Sequence, residues 1–354
     1  MINRIIESVP NFSTCDNYAI NSIADSVKSV NGVKLLNVDP GVAANRTVFT
    51  FAGKPEAVVE AAFQAAKTAA EVIDMRQHHG THPRIGATDV LPLVPVEGVS
   101  LEECVQMARG LAKRIADVIG IPCYAYEAAA FKPERRNLAV CRAGEYEAVK
   151  VKVLSENNKP DFMPKDFPDD GTIPERVLKS GCTVVGARDY LIAVNFNLNT
   201  TSTEIANEIA CDVREKGRPV VDENTGKPKT DEFGKKIMKP GSLKTAKAIG
   251  WFIEEYGIAQ VSMNLTNINV TPLHVAFEEV SRCAKARGVK VTGTEIIGLV
   301  PKRVLVEAGR FFLRKENRDE NIPDAQLIQV AVRHMALDEL RPFDYKQKII
   351  EFLL

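Results

Sequence analysis

The order in which patterned segments follow one another constrains this chain most. Residues 2–9 (INRIIESV) alternate like a strand, and 16–29 carry Tyr18, Ile20, Ile23, Ala24 and Val27 at helical spacing. Two β-rich runs follow, 33–39 and 47–52, separated by a turn signal at Pro40 and Gly41. Pro55 suits the first turn of a helix reaching about residue 73. A strand is expected over 90–96, and the Ser100–Glu103 capping box opens a helix that stops at Gly120, with another strand over 121–126. Through residue 96 the order is β-α-β-β-α-β. The second half repeats it: strand 189–198, helix 203–216, strands 245–254 and 260–269, helix 272–287, strand 289–297, then a helix opened by Pro301. The predicted fold class is α+β, two tandem ferredoxin-like (split β-α-β) α/β sandwich subdomains. Their expected bounds are 1–180 and 181–322, with a helical extension over 323–354 packed on the second.

Two stretches interrupt this regularity. Residues 156–186 are long, polar and rich in Pro and Gly, which marks a functional or disordered connector. Residues 219–239 read as a solvated hairpin or flexible excursion.

Charge narrows the partners. With 46 basic and 46 acidic side chains the net charge is zero, which argues against nucleic acid or an anionic membrane as a partner. No segment approaches the roughly 20 apolar residues of a membrane span. The seven cysteines show no zinc-knuckle or redox spacing, and an odd count without an export signal points to a reducing, cytoplasmic setting.

The densest polar constellation is HHGTHPRIGATD, residues 78–89, holding three of the five histidines. It is expected in a loop between a helix and a strand, where Gly80, Pro83 and Gly86 would impose special backbone angles. Imidazole titrates near pH 6.5, suited to proton transfer. The competing reading is a metal site, because His78 and His82 are four apart; Gly80 and Pro83 oppose a helix there, and no Glu or Cys completes the set nearby. Strand ends supply a second cluster: Asn11 and Ser13, Asp39, and Asn45 with Arg46. Each also has a local explanation, Asn11 or Ser13 as a helix cap and Asp39 as a turn initiator. No phosphate loop, dinucleotide glycine fingerprint or Gly-x-Ser-x-Gly elbow is present.

At these residues the sequence resembles glutamate formimidoyltransferases. The matching segments are SVPNFS, VDPGVAANRTVFTFAGKPEAVVEAA, DMRQHHGTHPRIGATDVLPLVPVEGVS, RAGEYEA, PDFMP, GARDYLIAVNFNLNT, PGSLKTAKAIGWFIEE, QVSMNLTN and EIIGLVP. The resemblance implies two α/β subdomains with a folate site in the cleft between them, closure of which would exclude water. It implies His82 as the catalytic acid/base. A folate-binding segment would fall on Met163, Pro164, Lys165, Asp166, Phe167, Pro168, Asp169, Asp170, Gly171 and Thr172, although the connector departs from the family pattern over 174–180. It further implies a cytoplasmic homodimer in histidine breakdown and one-carbon metabolism, with tetrahydrofolate as co-substrate, N-formimidoyl-L-glutamate and L-glutamate as partners, and no resident metal. The chain ends at Leu354 without a cyclodeaminase domain, so a monofunctional enzyme is expected.

In the implied reaction an amine attacks an amidine carbon, so one nitrogen loses a proton while another gains one. His82 is assigned that exchange, and Asp39 is the candidate to orient the ring or stabilise imidazolium. Asn11, Arg46 and Arg84 are substrate-binding candidates, the arginines for carboxylates. The alternatives are a zinc-dependent hydrolase of formimino compounds and a non-catalytic folate-binding protein.

Overall fold

A seven-stranded sheet frames the first unit in the computed structural model, which describes residues 4–41, 44–80, 83–222 and 225–354. Its elements run β1 (Ile5–Ser8), β2 (Asn11–Phe12), α1 (Asn17–Lys28), β3 (Val33–Gly41), β4 (Arg46–Gly53), α2 (Pro55–Val72), β5 (Thr88–Glu97), α3 (Leu101–Arg114) and β6 (Cys123–Glu127). Three short helices follow, α4 (Leu138–Arg142), α5 (Val149–Lys152) and α6 (Glu175–Ser180), before β7 (Thr183–Ala187). Across the sheet the order is β3, β4, β1 with β2, β5, β7, β6. Pairing is antiparallel as far as β5, while β5, β7 and β6 are parallel.

Local chemistry explains the helix bounds. Asp16 caps α1 by accepting from Ala19 N, and Pro55 occupies the first turn of α2. Ser100 and Glu103 form the reciprocal capping box of α3. The helix widens into a π turn over Ile115–Ile119 and ends at Gly120 with φ +79°. Apolar side chains of α1, α2 and α3 meet Ile6, Phe12, Phe49, Phe51, Leu91 and Leu93 on one face of the sheet. Tyr18 takes no part in this core and is 73% exposed.

Strands alternate, so their other residues look the opposite way. Register puts Asn11 and Asp39 on either side of Val48, with Glu7 between Ala52 and Val94. The β7–β6 end of this second face is covered by α4, α5 and α6 around Tyr124, Tyr126, Cys141, Val149 and Val177.

Three expectations are corrected. The 156–186 connector is not structureless, because it contains α6 and the fully buried β7. Since β7 fills the slot between β5 and β6, the first unit runs to Asp189 rather than 180. Pro40 and Gly41 continue β3 opposite Thr47 and Arg46 instead of turning the chain.

The second unit, Tyr190–Leu353, has its own sheet. Here β8 (Ile192–Leu198) leads through α7 (Thr203–Val213) and a two-stranded excursion, β9 (Arg218–Pro219) with β10 (Met238–Lys239). Next come β11 (Ala246–Ile253), β12 (Ile258–Leu265), α8 (Leu273–Lys285), β13 (Val291–Ile297), α9 (Lys302–Lys315) and α10 (Asp324–His334). The four long strands lie in the order β11, β12, β8, β13, all antiparallel. Within this unit α10 packs on α9, and Ile349 bridges to Val300. No described helix is long and apolar enough to cross a membrane.

Glu7 is 4% exposed, and burial pushes its carboxyl up to about 7, partly offset by Arg188. A carboxyl raised above its unfolded value near 4.5 contributes stability that is complete below 4.5 and is lost as pH rises through about 7. Ionisation should therefore cost about 3 kcal/mol, from the 1.36 kcal/mol carried by each pH unit. Glu7→Gln should melt progressively higher than wild type as pH is raised from 5 to 8, by several degrees at the alkaline end. A pH-independent difference in Tm would show that Glu7 is ionised throughout.

Candidate active site

One end of the first sheet gathers the polar segments. There β2 and β3 finish while β4, β5, β6 and β7 begin. The histidine-rich segment enters it after a 3-10 turn, Met75–Gln77, and reaches β5 at Thr88. His78 has extended angles, φ −79° and ψ 127°, so it does not itself lie on a helix.

His78 is buried and both its ring nitrogens are engaged. Nε2 lies 2.8 Å from the carbonyl of Asn45, and Nδ1 accepts from Arg84 Nε at 3.3 Å. A carbonyl only accepts and a guanidinium only donates, so these partners select the neutral Nε2–H tautomer. Neither nitrogen is left for a metal. His79 is exposed, and its carbonyl accepts from Asn45 Nδ2 at 2.9 Å. His82 lies outside the described residues.

The two glycines are there for space rather than angle, since neither has positive φ. A Cβ on Gly80 would sit 2.3 Å from Ala44 O, and one on Gly86 2.1 Å from Cys182 O. Gly86 bridges to Gly181, and its carbonyl accepts from Ser13 Oγ at 2.7 Å. Ser13 thus ties β2 to the histidine-rich segment, and the cap of α1 falls to Asp16.

Arg84 does not present its guanidinium to solvent. Nη1 contacts Glu145 at 2.7 Å and Glu147 at 2.9 Å, and Nη2 reaches Glu147 at 2.7 Å. The Glu147 hydrogen bonds raise the Arg84 pKa above its usual value against the cost of burial, and in return Arg84 lowers that of Glu147. This is the fork-on-carboxylate pairing expected of a buried arginine, already complete within the protein. A second ion pair runs the opposite way, from Arg142 to the fully buried Asp89, whose Oδ1 also accepts from Ile85 N at 3.0 Å. The RAGEYEA segment therefore clasps the histidine-rich segment at both Arg84 and Asp89. Sequence reading assigned Arg142, Glu145 and Glu147 no role, because nothing in their spacing names partners some sixty positions away. Glu145 leaves one signal, φ +55° directly after Gly144.

Asn11, Asp39 and Arg46 share the second face of the sheet near this end. Asn11 donates to Val9 O at 3.2 Å, and Asp39 is exposed. Burial and the neighbouring Arg142 cation hold the Arg46 guanidinium below its usual range, with Asp89 and Asp39 opposing. The connector residues lie elsewhere. Phe162 bridges to Cys123 on the outer edge of β6, and five strand spacings, roughly 24 Å at ~4.8 Å each, separate β6 from β3. Met163 and Phe167 pack on the cluster around Tyr124 and Cys141, Pro164 is buried, and Pro168 is half-buried. Lys165 reaches Asp117 at 3.3 Å, Asp166 pairs with Arg176, and Asp170 accepts from Thr172 N at 2.8 Å. Asp169 and Gly171 are exposed. The structure thus brings Asn11, Asp39 and Arg46 together and sets residues 163–172 at the opposite sheet edge.

Two family models match the chain, one over each of its two units. Residues 5–188 match the model of the formiminotransferase domain, N-terminal subdomain, and 193–354 match that of the formiminotransferase domain. A formimidoyltransferase-cyclodeaminase of Rattus norvegicus is 42% identical over all of this chain, which spans 60% of that relative's length. Two proteins named glutamate formimidoyltransferase are each 38% identical. The one from Streptococcus pyogenes aligns over 89% of this chain and 95% of its own length, and the one from Thermoplasma acidophilum over 92% and 98%. With both units matched in order and almost the whole of two relatives covered, this chain belongs to the formiminotransferase family.

Proposed function

We propose that this chain is a folate-dependent glutamate formimidoyltransferase, moving a formimino group between N-formimidoyl-L-glutamate and tetrahydrofolate in histidine degradation. The observation that carries the reading is its near full-length match to two relatives of that name. The strand order of each unit supports two ferredoxin-like split β-α-β sandwiches, the first extended by β6 and β7. Seven free cysteines and balanced charge favour a reducing cytoplasm, and a homodimer completes the proposal.

The chemistry is a transfer between amines. N5 of tetrahydrofolate attacks the amidine carbon, giving a tetrahedral centre bearing three nitrogens. The proton leaving N5 must reach the nitrogen of glutamate, whose bond to carbon then breaks to release L-glutamate and 5-formimidoyltetrahydrofolate. His82 is the proposed carrier of that proton, with Asp39 supporting its charged form. Arg46, half-buried with its cation held by Asp39 and Asp89, is the proposed partner of a substrate carboxylate, with Asn11 beside it. Residues 163–172 remain candidates for the remote part of the folate, which an extended ligand must span the sheet to reach.

Glutamate release that depends on tetrahydrofolate tests the proposal. His82→Ala should lose ~10²–10⁴-fold in kcat, whereas His79→Ala, whose side chain is exposed, should keep most of its turnover. Comparable losses from both, with loss of bound zinc, would replace this reading by a metal-dependent hydrolase.

The two arginines should separate kinetically. Arg46→Gln should raise KM for formimidoylglutamate about 10- to 100-fold, the effect of removing a charged hydrogen bond. Arg84→Lys should lower kcat with little change in KM, because its fork serves Glu145 and Glu147. A rise in KM alone for Arg84→Lys would make Arg84 a substrate ligand instead.

A further inference from the structure

Asn45 sits just before β4 with φ +45°, a backbone state that Asn tolerates better than most residues. Three of its polar groups are committed to other segments. Oδ1 accepts from Cys15 N at 2.9 Å, fixing Asn45 to the chain entering α1. Nδ2 donates to His79 O at 2.9 Å, and its own carbonyl accepts from His78 Nε2 at 2.8 Å. Gly80 passes so close that a Cβ there would lie 3.1 Å from Asn45 Cβ. Three consecutive residues of the histidine-rich segment are thus seated on one asparagine. His78 then passes the connection on through Nδ1 to Arg84, which is anchored on Glu145 and Glu147.

We infer that Asn45 is a positioning residue for the reaction: it fixes residues 78–80 and, through His78, couples them to the Arg84 clamp. The inference rests on the functional reading above only in that the segment carries the chemistry. Asn45 acts through the backbone it holds and touches no reacting atom. Asparagine is required because the position needs positive φ, an acceptor toward Cys15 and a donor toward His79 at once. Aspartate supplies the acceptor but sets a carboxylate against the His79 carbonyl, and glycine supplies only the backbone angle.

Two substitutions separate these parts. Asn45→Asp and Asn45→Gly should both fold with Tm within a few degrees of wild type. Both should lose ~10–100-fold in kcat, the scale of a misplacement near 1 Å, while KM for both substrates stays within threefold. Hydrogen exchange across residues 76–80 should rise at least fivefold in both, a readout independent of activity. Exchange left at the wild-type level in both variants would overturn the inference, whatever the turnover. Raised exchange with kcat within twofold of wild type would equally overturn it, because the held segment would then not matter to the reaction. If the wild-type chain shows no formimino transfer, the functional reading falls, and the exchange result alone decides whether Asn45 holds the segment.

Discussion

Everything proposed for the site depends on a guanidinium that faces inward. Arg84 is 9% exposed, and the carboxylates that satisfy it come from outside the sheet. Glu145 and Glu147 arrive from the insert between β6 and β7, so the histidine-rich segment can adopt its path only when that insert is docked. The reciprocal pair, Arg142 on buried Asp89, has the same property. Losing the glutamates would strand the buried Arg84, and losing Arg142 would strand the buried Asp89, so each pair has one partner that is costly to leave alone.

Close backbone approach works with this electrostatic clasp. Gly80 lies against the turn before β4, and Gly86 against the residues that enter β7. Both positions exclude any side chain, so Gly80 and Gly86 are each pressed against a β connection, while ion pairs hold Arg84 and Asp89 and hydrogen bonds to Asn45 hold His78 and His79. Asn11, Asp39 and Arg46 border the same end of the sheet. Rigid strands thus carry the candidate ligands, and the histidine-rich segment is referenced to them through Ser13 and Asn45.

Much of the architecture was legible because it is written in local patterns. The capping box at Ser100, Pro55 at the start of α2 and the alternation around Phe49 and Phe51 each follow from short-range physics. What escaped was non-local. The strand β7 is short, fully buried and sits in a Pro/Gly-rich stretch, so composition hid it, and only its parallel partners β5 and β6 define it. Arg84 read as a free cation because sequence shows charge without showing pairing. Gly80 and Gly86 read as sources of special backbone angles because their crowding comes from residues far along the chain. The catalytic assignment to His82 comes from family resemblance, since that residue lies outside the described ones.

In the proposed reaction water must not replace the amine acceptor. The decisive observation is the fate of the transferred carbon. N-formimidoyl-L-glutamate labelled with ¹³C in the formimino group, followed by NMR with the chain and tetrahydrofolate, should move its label onto the folate as glutamate appears in equal amount. Label emerging as formamide, at a rate indifferent to tetrahydrofolate, would contradict the account and identify a hydrolase.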